Sequence, residues 1–308
     1  MAQYPDTAAG WVKSSSGPVL GGIDMGTCFD VFVLTENDTY RMYFSWRPKQ
    51  SLAVVTSTDG THWSDPDVVL APDLKTGWED DLNRNAVVRR DGVYHMWYSG
   101  QARGFTRIGY ASSNDGLSWT RSRQKPVLIP EYPWEGRSVM CPHVIWDEEA
   151  LVYKMWYSAG ETYEPDAIGY AVSTDGLNWQ KHPANPIFTP DKSLDWEKDK
   201  VTACQVVKCA DYYLMFYIGF ADVHTARIGV ARSPDGITRW QRHPLNPILS
   251  PTAGSWDGDA CYKPFAVWDA RQEQWMLWYN GRCGAPEYVG LAVHSGYDLG
   301  FDLALDSI

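Results

Sequence analysis

The acids that could do chemistry in this chain are the ones that do not recur: Asp24 and Asp30 near the start, then Asp81, Glu161, Glu164 and Asp199. Breaking an acetal bond between sugars needs two carboxylates flanking it, one to donate a proton and one to act as base or nucleophile. Residues present in every copy of a repeat are poor candidates, since no reaction needs the same group five times over. By that criterion the acid following Trp at Glu79, Glu135, Glu197 and Asp257 is structural. Arg47, Arg84, Arg137, His143 and Lys263 could fix sugar hydroxyls, tune a carboxylate or hold an anion. Their alternative use is in ion pairs that serve only the fold.

The elements that must position these groups are set by a repeat. STDGTHW (57–63), SNDGLSW (113–119), STDGLNW (173–179) and SPDGITRW (233–240) share one pattern, with steps of 56, 60 and 61 residues between their Trp residues. Upstream of each lies a small-residue strand, and before that an aromatic strand: YRMYF, YHMWY, YKMWY, YLMFY and WMLWY, five copies in all. Asp-Gly between extended segments signals a hairpin, because both positions tolerate positive φ. Each copy therefore reads as a four-stranded antiparallel unit, and such units repeated radially make a β-propeller.

The last strand of a unit carries Trp followed seven residues later by Pro, as in Trp119 with PVL and Trp179 with PIF. The fifth copy lacks it, but Trp11 with PVL at 18–20 supplies the same spacing at the opposite end of the chain. The expectation is an all-β, five-bladed β-propeller spanning residues 1–308 as one domain, its ring closed by the N-terminal strand joining the last blade. Closure removes exposed sheet edges. An α/β barrel is disfavoured, since no segment keeps a 3.6-residue period.

Strands alternate in direction, so the loops sort onto two faces. Every Asp-Gly turn falls on one, which makes those strings structural. The individual loops fall on the other, from GGIDMGTCFD to SWDGDACYKP before the first strands and from SWRPKQ to NGRCGAPE between the second and third. All the candidate acids and bases belong to that second face, where a varied loop set over a repeating scaffold usually carries function.

With 27 basic and 38 acidic residues, the net charge of −11 argues against nucleic acid or an anionic membrane as partner and for a neutral one. No run of about 18 apolar residues is present and the first residues lack a signal-peptide pattern, so the expected location is cytoplasmic. Six cysteines without a CxxC pair read as buried thiols, with no zinc site.

The string DVFVLTENDTYRMYF, with Asp30 opening the first inner strand and Tyr40 ten residues on, resembles the opening of family 43 glycoside hydrolases. With five units and SxDGxxW turns throughout, the chain is similar to the arabinanase, levansucrase and invertase superfamily over almost its whole length. The resemblance implies a glycoside hydrolase acting on a small glycoside or oligosaccharide end, with Asp30 as base or nucleophile and no cofactor. The family's proton donor is a Glu opening a later inner strand, whereas here those strands open with CPHVIW and ACQVVK. The family 32 WxNDPNG, RDP and EC motifs are absent as such. The donor is then expected from a neighbouring loop, at Asp199 or Glu161. Asp24, Arg47, Asp81, Arg84, Arg137, His143 and Lys263 are expected to bind substrate. His143 is also placed where some relatives hold a cation on the channel axis. Two other readings stand beside hydrolysis: a phosphorylase similar to family 130, and a sugar-binding propeller without catalysis.

Overall fold

The computed structural model describes residues 4–302, and within them the chain is all-β, with two short 3-10 turns (Arg47–Lys49 and Pro133–Glu135) and no α-helix. Five units of four antiparallel strands follow one another. Their first strands are Cys28–Glu36, Asp81–Arg90, Ser138–Asp147, Lys200–Lys208 and Ala260–Asp269. Each first strand touches the next in order, and Ala260–Asp269 touches Cys28–Glu36 in turn. In the fifth unit the outermost strand is Trp11–Lys13, paired antiparallel with Ala292–His294.

The aromatic second strands supply the packing between units. Tyr43, Trp97, Trp156 and Trp278 are fully buried, and burying one such ring contributes about 1.5–3 kcal/mol. Each also donates a hydrogen bond across to a neighbouring Asp-Gly turn. Trp97 donates to the Gly176 carbonyl, Trp156 to Gly236 and Trp278 to Gly60 at 2.8–2.9 Å, and Tyr43 to Gly116 at 2.9 Å. The turn needs glycine there: φ is +73° at Gly176, and a Cβ would lie 2.8 Å from the Trp97 ring. In each string the Asp carboxylate accepts the backbone N–H groups two and three residues on, as Asp115 does from Leu117 and Ser118. The SxDGxxW repeat is thus a latch between units, as its recurrence implied.

The recurring acid after Trp has an equally regular structural use. Glu79 accepts from the Tyr98 hydroxyl and pairs with Arg121, Glu135 with Tyr157 and Lys181, and Glu197 with Tyr217 and Arg242. Asp257 does the same with Tyr279 and Lys13. In each case a second-strand tyrosine and a fourth-strand cation close on a buried carboxylate.

Candidate active site

The first strands share one irregularity, and it builds the site. Pairing with the second strand slips once in each unit, and the residue at the slip takes a left-handed backbone: Asp30 (φ 58°), Arg84 (55°), Cys141 (52°), Ala203 (44°) and Lys263 (52°). Such bulges re-aim a side chain, and a non-glycine residue at positive φ costs on the order of 1 kcal/mol that the surroundings must offset. Here a polar side chain on an adjacent unit's second strand holds the strained backbone. Ser45 accepts the Arg84 N–H (3.0 Å), Ser99 that of Cys141 (3.1 Å), Ser158 that of Ala203 (2.8 Å) and Asn280 that of Asp30 (2.9 Å). The bulge residues all line a narrow axial cavity, which His143 and Phe265 also border.

Around Asp30 the charges interlock. Its Oδ1 lies 2.8 Å from Lys263 Nζ, and its Oδ2 lies 3.5 Å from Arg84 Nε and accepts from Ser45 Oγ at 3.2 Å. Arg84 reaches the other way to Glu164, donating from Nη2 to Oε1 at 3.1 Å. Burial opposes the Arg84 charge, but Cys141, Glu164 and Asp30 beside it outweigh this and raise it well above its ordinary value.

Above this cluster opens a cavity of about 330 Å³ bordered by Arg47, Arg84, Lys263, Arg282, Glu164 and Glu287. Its size suits a small ligand. Several polar atoms at its wall are buried with no partner among the described residues: Asn83 Oδ1, Glu164 Oε2, Glu287 Oε2 and Arg282 Nε. Unpaired buried groups cost about 1–3 kcal/mol each, a cost a polar ligand would offset. Aromatic surface is at hand in Phe29, Tyr163 and Tyr262, the first lying under Arg47 at 4.5 Å.

Asp81 begins the second unit's first strand and lies 3.6 Å from Arg47. Burial pushes its carboxyl up, and nearby Asp30 adds to this; Arg47 and the Leu82 N–H pull the other way without cancelling it. His143 sits between Phe32 and Phe265 and donates from Nε2 to the Val206 carbonyl at 2.8 Å; burial lowers it to about 4, so it is neutral. No group of three or more His, Cys, Asp or Glu suited to a metal occurs among the described residues.

Of the residues expected from sequence, Asp30, Arg47, Arg84, His143 and Lys263 line the two axial cavities, and Asp81 adjoins them through Arg47. Asp24, Arg137, Glu161 and Asp199 do not: all four are exposed and border neither cavity. For Glu161 the reason is local, because the loop turns it outward and buries Glu164 against Arg84 three residues on. For Asp199, backbone pairing of its N–H with the Phe220 carbonyl fixes it at the rim. Glu287 and Arg282 were not singled out, although both flank the same fifth-unit loop, NGRCGAPE.

In agreement with the sequence resemblance to propeller glycoside hydrolases, residues 32–181 match the family described as the glycosyl hydrolases family 32 N-terminal domain. A crystal structure of a thermostable family-43 glycoside hydrolase superposes with a TM-score of 0.69 at 20% identity, over 88% of this chain and 90% of that one. An uncharacterized protein of Mycobacterium tuberculosis is 29% identical over 279 residues, 84% of this chain and 89% of its own. The 1,2-beta-oligomannan phosphorylase of a Thermoanaerobacter species is 25% identical over 199 residues, 61% of each chain.

Proposed function

We propose that the chain is a closed five-bladed β-propeller that cleaves the glycosidic bond of a small glycoside or oligosaccharide end in its axial cavity, with water as acceptor. One observation carries this: Asp30 lines the axial cavity, and Asp81, paired with Arg47 at the wall of the adjoining one, feels its charge from an unlike setting. Asp30 is clamped between Lys263 and Arg84, while the Asp81 carboxyl is pushed up by burial and by Asp30. A carboxyl pushed up by burial, beside a second one held by two cations, offers an acid next to a possible base. In this reading Asp81 gives its proton to the departing glycosidic oxygen, Asp30 takes one from the attacking water, and Glu164 Oε2 accepts from a sugar hydroxyl.

The surplus of cations favours a second reading. Arg47, Arg84, Lys263 and Arg282 border one cavity against the carboxylates of Glu164 and Glu287, in a chain of net charge −11. Phosphate in place of water would suit that field, and two of the relatives are named as phosphorylases of β-1,2-linked mannosides. A panel of aryl glycosides and disaccharides, assayed with and without phosphate, tests both. Free sugar as product in both supports hydrolysis; sugar phosphate formed only with phosphate supports the second reading. Binding without turnover in either would leave a sugar-binding propeller. Asp30→Asn is expected to lower kcat/KM by about a thousandfold in whichever assay is active, and a rate near wild type would remove Asp30 from the mechanism.

A further inference from the structure

Beside the axial cavity, between the fourth and fifth units, lies a second pocket of about 500 Å³. Arg282 borders both, so the two adjoin. The side pocket is also bordered by Arg227, His224, Thr225 and Asp259.

Its two arginines are held but not neutralised. Neither Arg227 nor Arg282 forms an ion pair among the described residues, and the Nε of each is buried without a hydrogen-bond partner. The Arg227 guanidinium lies 5.0 Å over the Tyr4 ring, and Arg282 Nη2 donates to the His224 carbonyl at 3.1 Å. Both forks are therefore positioned before anything binds, which reduces the entropy a ligand must give up. Of the nearby acids, Asp259 accepts the Gly284 N–H, Asp222 accepts those of His224 and Thr225 while its charge also acts on Arg227, and Glu287 stands opposite Arg282 on the side of the axial cavity, so none makes a direct ion pair with either guanidinium. Burial lowers Arg227 from its ordinary value, the reverse of Arg84, whose carboxylate neighbours raise it. A buried guanidinium with an open face recognises oxyanions, in bidentate fashion where geometry allows.

We infer that this pocket is a subsite for an oxyanion carried by the saccharide itself, a uronic carboxylate or a phosphate ester on the unit next to the one in the axial cavity. This rests on the carbohydrate reading above. It makes Arg227 a specificity-determining residue, since it borders the side pocket and not the axial one.

The test measures binding of three probe sets by calorimetry: neutral disaccharides, the same disaccharides carrying a uronic acid or a 6-phosphate, and inorganic phosphate alone. The charged disaccharides are expected to bind about tenfold or more tightly than their neutral counterparts. That advantage should shrink with rising salt and be lost in Arg227→Gln. Arg227→Lys, which keeps the charge, should retain part of it and controls for folding. Equal affinity for charged and neutral sets, or an advantage that survives in Arg227→Gln, overturns the inference. So does a response to inorganic phosphate as strong as to the sugar phosphate, which would make the pocket a free-anion site. If no saccharide of either set binds, the carbohydrate reading itself falls and the subsite with it.

Discussion

Lys13 and Asp257 stand 244 residues apart in the chain and 2.6 Å apart in the fold. In the second, third and fourth units the matching cation, Arg121, Lys181 or Arg242, sits on the strand that ends the same unit. In the fifth it comes from the amino-terminal strand, along with the backbone pairing of Trp11–Lys13 to Ala292–His294. One ion pair thus ties the start of the chain to its last sheet.

Replacing Lys13 by Met should destabilise the fold by about 3 kcal/mol, since it leaves Asp257 buried and charged without its partner. A lowered urea midpoint measures this. Asp257→Asn added to Lys13→Met should cost less than the separate losses together, because the two act as one unit. An unchanged midpoint in Lys13→Met would show that the strand pairing alone holds Trp11–Lys13 to the last sheet.

Asp81→Asn should lower turnover of glycosides with poor leaving groups by about a hundredfold or more, while those with highly acidic phenols keep most of their rate. The sign of the pH effect follows from the donor role. Asp81 must be protonated to act, burial raises its pKa, and activity should fall as pH rises through that value. The variant should lack that fall. Equal losses for good and poor leaving groups would assign Asp81 to substrate binding instead.

His143 makes the fold sensitive to acid. Its ordinary value of 6.5 is lowered to about 4 by burial, so the unfolded chain takes up a proton at a pH where the folded chain does not. Stability should therefore fall as pH drops from 6.5 towards 4, by about 3 kcal/mol from this group, and change no further from it below that. His143→Gln should show a shallower loss between pH 7 and pH 4.5 when urea midpoints are compared. Parallel curves for the two proteins would mean that His143 is not the group responsible.

The architecture was legible because its signals are local and chemically narrow. Asp-Gly turns need Asp115 and its counterparts to accept two backbone N–H groups and need glycine beside a packed ring, so composition betrays them. Trp11 could be matched to Trp119 and Trp179 because one spacing recurs. The isolation of Asp30 as a first-strand acid also carried over to the cavity wall.

The partner acids were less legible for a physical reason. Glu161 and Glu164 share a loop, and only its path decides which of them turns inward to Arg84. The bulges were invisible in residue type, since Asp, Arg, Cys, Ala and Lys have no common preference for positive φ. A trace does exist one strand away: the aromatic strands YFS, WYS, WYS and WYN end in Ser45, Ser99, Ser158 and Asn280, the residues that hold the bulges. The fourth aromatic strand has Ile218 at that place and supplies no such acceptor.

Each unit offers one bulged residue to the axis, with the strand on either side pinned by its own pairing. Chemistry and scaffold are therefore almost separable here, and lineages could rewrite the five-letter set Asp, Arg, Cys, Ala, Lys while the packing outside it stays put. A change at one bulged residue would alter the order of charges met around the cavity and leave the paired strands beside it as they are.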